Sequence, residues 1–171
     1  TNWGFFLKKT LYGVKRLDDY LIQENDQDAV VIRYGEVILN LAEAAVELST
    51  YGVNDYLAVA QVAFDLLRSI HGGLPAKTMD LEVVRHERRI DLMYEGFRYW
   101  DLRRWRLAGE VIDGKQAHGT KITKKDDNSY TYEQVSCDDN INRFFPERYY
   151  LLPIPVDELQ NNPLCENNAP W

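Results

Sequence analysis

Between Arg85 and Arg106 the chain reads RHERRIDLMYEGFRYWDLRRWR, and this stretch limits what the whole can fold into. Seven of the twelve arginines fall here with no lysine, among Glu87, Asp91, Glu95 and Asp101 and the rings of Tyr94, Phe97, Tyr99, Trp100 and Trp105. An exposed helix uses lysine and arginine almost equally. A partly buried one favours arginine, whose planar guanidinium forks onto carboxylates and stacks on rings. Met79, Val83, Ile90, Met93, Phe97 and Trp100 recur at three- and four-residue steps with His86 in the same row, so the spacing predicts an amphipathic helix with that row inward. Arg88 with Asp91, Glu95 with Arg98 and Asp101 with Arg104 stand three apart, within pairing distance on a helix. The expected structural ion-pair network is Glu87, Arg88, Arg89, Asp91, Glu95, Arg98, Asp101 and Arg104.

Three functional classes fit these residues poorly. Four carboxylates leave this stretch a net charge of only +3 inside a chain of net -7, which argues against a nucleic-acid surface. A glycosidase sets two carboxylates roughly 5 to 10 Å apart and keeps one protonated, whereas every acid here has an arginine beside it to hold it ionised. His71, His86 and His118 are scattered without ligand spacing, so no metal or other cofactor is expected. Cys137 and Cys165 are too few for a disulfide scaffold, and whether they pair is left open. Cys137 lies in a polar, acidic segment that would not favour its thiolate. The reading is of a non-catalytic protein.

At 171 residues the chain has room for one domain with a sizeable core. A sequence pI near 5.0 argues against nucleic acid or an anionic membrane as the main partner. No segment reaches the roughly 18 apolar residues of a membrane helix. The opening Thr-Asn-Trp-Gly, without Met or a signal peptide, reads as part of something longer.

Along the chain, residues 1 to 17 suggest an extended or strand segment. Asn25, Asp26 and Asp28 are candidate N-caps for a first helix over 28 to 50, with Val30, Tyr34, Val37, Leu41, Ala45 and Leu48 inward and Arg33, Glu36, Asn40, Glu43 and Glu47 outward. Gly52 ends it. A second helix is expected over 54 to 71, capped by Asn54, lined by Tyr56, Ala60, Ala63, Leu67 and Ile70 and stopped by Gly72-Gly73. Small alanines let the two approach as an antiparallel hairpin, a helical-repeat-like unit that cannot bury both its apolar faces alone. Thr78 is the expected cap of the arginine-rich helix, and Gly96 its interruption. Lys121-Ile122-Thr123 and Tyr130-Thr131-Tyr132 flank the turn-prone Asp126-Asp127-Asn128-Ser129 and predict a short β-hairpin. From Phe144 onward, five of the six prolines predict an irregular strap with one helical turn near Val156 to Gln160. Tyr149, Tyr150, Leu151, Leu152, Ile154, Leu159, Leu164 and Trp171 are its expected pins.

Five segments, in order, resemble the C-terminal region of the SusD/RagB family of outer-membrane lipoproteins from Bacteroidetes. They are GFFLKK near the start, VIRYGEVILNLAEAAVEL (Val31 to Leu48), LLRSIHGGLP (Leu66 to Pro75), RHERRIDLMYEGFRYWDLRRW (Arg85 to Trp105) and LLPIPVDELQNNPLCENNAPW (Leu151 to Trp171). Asp91 stands where the family has glutamate, Met93 where a small residue is common, and Asn-Ala-Pro-Trp where Asn-Pro-Gly-aromatic is typical. The resemblance implies a mainly α, tetratricopeptide-like fold for residues 1 to 171, taken as one domain: a helical hairpin, the signature helix, a short β-hairpin and the Pro-rich strap. It implies a SusD-like glycan- or nutrient-binding protein, exposed at the cell surface on the outer membrane, handing an oligosaccharide or other nutrient to a SusC-like TonB-dependent transporter. Its lipid anchor would lie outside this sequence. The family's motifs here are structural and carry over no ligand residue. By their rings, Tyr130 and Tyr132 and the loops of 110 to 148 are the binding candidates. The alternative is a helical-repeat protein-interaction module without a small-molecule ligand.

Overall fold

The computed structural model describes residues 31–171, and the chain divides into two compact units. Of the described residues, 31–98 belong to one and 99–171 to the other. The strand expected over 1 to 17, the caps expected at Asn25, Asp26 and Asp28 and the inward Val30 lie outside the described residues. The fold is mainly α, with six α-helices among the described residues and one two-stranded antiparallel sheet.

The first unit holds helices α1 (Tyr34–Thr50), α2 (Leu57–Gly72) and α3 (Leu81–Asp91). Gly35 at the start of α1 lies beside His71 at the end of α2 and Asp91 at the end of α3, and Glu47 near the end of α1 meets Arg85 near the start of α3. Helix α1 therefore runs antiparallel to both, which realises the expected hairpin. Their core is Ile38, Leu39, Ala42 and Val46 of α1, Phe64 and Leu67 of α2 and Val84 of α3, with Leu92 closing one end. The Gly73–Asp80 connection is tied back to α2 by polar side chains. Gln61 donates to the Lys77 carbonyl and accepts from the Met79 amide, both at 2.9 Å, and Arg68 Nε donates to the Pro75 carbonyl at 3.2 Å.

The inward faces differ from the expected ones. On α1 the buried set is Gly35, Ile38, Leu39, Ala42, Glu43, Ala45 and Val46, whereas Tyr34, Val37, Leu41 and Leu48 are exposed. On α2, Ala60, Phe64, Leu67 and Arg68 are buried, and Tyr56 and Ile70 are exposed. Both helices carry apolar residues on two faces, and packing within the unit buried only one face of each. Each keeps a second apolar stripe in the open: Tyr34, Val37, Leu41 and Leu48 on α1, and Val59, Val62, Leu66 and Ile70 on α2.

Asp80, not Thr78, caps α3, its carboxylate accepting the Val83 amide at 2.7 Å. Asn54 does not cap α2, whose N-cap position is Tyr56. The arginine-rich stretch is two helices: α3 ends at Asp91, and α4 (Phe97–Arg104) begins after a turn in which Gly96 has φ +84°. That break resets the helical phase, so the single row from Met79 to Trp100 does not exist. Val84, Glu87 and Arg88 are the buried residues of α3, and His86, Ile90, Met93 and Trp100 are exposed.

The second unit continues with α5 (Ala108–Ile112), strands β1 (His118–Lys124) and β2 (Tyr130–Ser136) and α6 (Val156–Asn161). The strands pair antiparallel from His118 opposite Ser136 to Lys124 opposite Tyr130. Asn128 turns the chain with φ +62°, and Asp127 accepts from the Ser129 amide and hydroxyl at 2.9 and 2.6 Å. The strap's deepest anchor is Phe145, buried with Leu102 and Ala108. Tyr149 and Tyr150 pack against that cluster, while the expected pins Leu151, Leu152 and Leu164 stay exposed. Trp171, also exposed, stacks on Tyr149 at 5.8 Å and donates to the Leu151 carbonyl at 3.0 Å.

Candidate functional site

Three features in the two units bear on function: a buried charge network, a groove lined by arginines and a pair of strand tyrosines. The network belongs to the first unit. Arg33, the N-cap residue of α1, donates from Nε to Glu95 at 2.8 Å and from Nη2 to the Asp91 carbonyl at 2.6 Å and to the Asp91 carboxylate. Burial works to lower its pKa, but hydrogen bonds and charge from Glu95 and Asp91 outweigh this and raise it. His71 meets the other Asp91 oxygen at 2.7 Å. Gly35 makes room for this cluster, since a methyl there would press on the Arg33 guanidinium, Asp91 and His71.

Arg68 and Glu87, both buried, form an ion pair, and the Arg68 guanidinium stands 5.8 Å over the Phe64 ring. Arg88, also buried, donates to Asn40 at 2.6 Å and stands over Phe97 at 5.4 Å. Arg89 is exposed and Arg98 half-buried. In the second unit Asp101 is buried and accepts from Arg104 at 2.9 Å, a pair that the spacing suggested. The partners that sequence reasoning missed, Arg33, Asn40 and Arg68, come from α1 and α2. Arg68 carried a signal: with Ala60, Phe64 and Leu67 it falls on one helical face.

The groove lies in the second unit, with Trp100, Arg103, Arg104, Arg106, Tyr150, Leu151 and Leu152 around an open space of about 500 Å3. Arg103 is buried, donates to the Tyr150 carbonyl at 3.0 Å, and stands over the rings of Trp100 and Tyr99 at 4.9 and 5.5 Å. The Tyr150 hydroxyl accepts the Gly109 amide at 2.8 Å, which fixes the strap against α5.

Tyr130 and Tyr132 are both exposed on β2 and, two residues apart, share a face opposite Lys124 and Ile122. Cys137 and Cys165 are free thiols, both half-buried. Among the described residues, no group of three or more His, Cys, Asp or Glu side chains is placed to hold a metal ion. No helix among them is long and apolar enough to cross a membrane.

A solved structure titled BT4246 is similar in fold, with a TM-score of 0.63 at 22% identity. The similarity covers 83% of this chain and 24% of that one, so the chain spans about a quarter of its length. No curated protein matches. The family model described as the SusD family matches residues 1–171, and with the whole sequence so matched the chain belongs to the SusD family.

Proposed function

We propose that these residues are the C-terminal part of a glycan- or nutrient-binding protein, held on the outer membrane by a lipid anchor outside this sequence. In this reading the protein delivers its ligand to a SusC-like TonB-dependent transporter and performs no chemistry on it. Membership of the SusD family across the whole chain carries the proposal. Four acids of the arginine-rich stretch support the non-catalytic part: Asp91, Glu95, Glu87 and Asp101 are each engaged by an arginine, a structural use of the carboxylate. The network then serves to lock α1, α2 and α3 together.

Within this chain the exposed rings of Tyr130 and Tyr132 are the proposed sugar contacts, since an aromatic face buries the apolar C–H surface of a pyranose. Tyr130→Ala and Tyr132→Ala in the full-length protein, titrated with the glycan it binds, are each expected to weaken affinity by about 1 kcal/mol, roughly fivefold. Unchanged affinity in both would remove the β-hairpin from the binding surface. Retention of a SusC-like transporter by the tagged full-length protein in detergent tests the partner. Purification without it would count against delivery.

A further inference from the structure

The groove of the second unit contains an arginine whose charge has no counterion among the described residues. Arg103 is only 7% exposed, and its Nε is buried without a hydrogen-bond partner. The Tyr150 carbonyl and the faces of Trp100 and Tyr99 are what meet its guanidinium, and among the described residues no carboxylate pairs with it. Arg68 and Arg33, by contrast, each hold at least one acid. A guanidinium out of water ordinarily requires an anion, because carbonyl dipoles and ring faces offset only part of its desolvation.

Around Arg103 the groove adds further positive charge and apolar wall. Arg104 and Arg106 line it, the former held by Asp101 and the latter 3.7 Å from Glu147, whose side chain is largely in solvent. Trp100, Leu151 and Leu152 are also lining residues, each with much of its surface exposed. A compact inorganic anion would use the guanidinium groups and leave those apolar walls wet. A sugar acid uses both, its carboxylate meeting arginine in a planar, charge-assisted contact while the C–H face of its ring covers tryptophan and leucine. The space, about 500 Å3, is of the size that small-molecule sites occupy.

We infer that this groove is a subsite for a carboxylate-bearing sugar, a hexuronate unit of an acidic oligosaccharide, with Arg103 and Arg106 facing the carboxylate and Trp100, Leu151 and Leu152 the ring. The inference rests on the glycan-binding reading above and narrows its ligand class. The test is calorimetric titration of the full-length protein at physiological ionic strength with trigalacturonate, with its fully methyl-esterified form and with a panel of neutral oligosaccharides. The ester keeps the sugar and removes the charge. Tighter binding of the acid by tenfold or more is expected, and Arg106→Gln, a change at an exposed side chain, is expected to reduce that preference at least threefold with the melting temperature unchanged. Trp100→Ala is expected to weaken the acid and the ester together. Equal binding of acid and ester, or an acid preference that survives Arg106→Gln intact, would overturn the subsite. Binding of neutral glycans with no acid preference defeats the subsite alone, whereas binding of no saccharide defeats the glycan reading with it.

Discussion

Arg68 and Glu87 illustrate how single side chains hold the first unit together. Both are buried and they pair, so deleting one strands the other's charge. Arg68→Leu is expected to lower unfolding free energy by about 3–5 kcal/mol in chemical denaturation, and a loss under 1 kcal/mol would show that Glu87 finds water. Gly35 works through the side chain it lacks. Glycine inside a helix costs about 1 kcal/mol relative to alanine, but here it admits the Arg33 guanidinium beside Asp91. Overpacking costs about 1–3 kcal/mol. Gly35→Ala should therefore be neutral to about 2 kcal/mol destabilising, and a gain of stability would contradict the close approach. The sequence named Glu87, Asp91 and Glu95 as partners of arginine. It did not name Arg33 or Arg68, because contacts between residues far apart in sequence follow from helix packing and not from spacing within one helix.

Among the elements, the β-hairpin was the most legible, because Asp126-Asp127-Asn128-Ser129 states its turn chemistry locally. Two hydrogen bonds from Ser129, first from its hydroxyl and then from its amide, hold the Asp127 carboxyl below the usual aspartate range. A depressed folded-state pKa gives stability that is present above the unfolded value and lost as pH falls through the folded one. The turn should thus loosen only below about pH 4. An NMR titration of the Ser129 amide is expected to show its midpoint under the model-peptide aspartate value, and a midpoint at or above that value would contradict the turn contact. The hairpin helices were legible in where they end, near Thr50 and Gly72, but α1 starts only at Tyr34, after residues 31–33 that the expected helix included, and their orientation was not legible. Val37, Ile38, Leu39 and Leu41 leave α1 apolar on more than one side, and only packing chose Ile38 and Leu39 for the core. Gly96 marked the break after α3, but reading one apolar row across it misplaced Ile90, Met93 and Trp100.

For the whole molecule, the exposed stripes on α1 and α2 are the part most at odds with water. Val59, Val62, Leu66 and Ile70 stand in solvent along one side of α2, and in the full-length protein this side is expected to lie against further helices. Val62→Lys in that protein should then cost about 3 kcal/mol or more, since a surface site would tolerate it within about 0.5 kcal/mol. The family was legible from motif order alone, whereas the groove was not: Trp100, Arg103 and Tyr150 are brought together by the strap's return to α4. The central claim is that the protein binds glycan or another nutrient without altering it. It is tested most directly by titrating the purified full-length protein across a glycan panel while assaying the same mixtures for products. Saturable binding of at least one glycan, recovered intact, is the expected result, and binding to none of them or the appearance of cleavage products would contradict it.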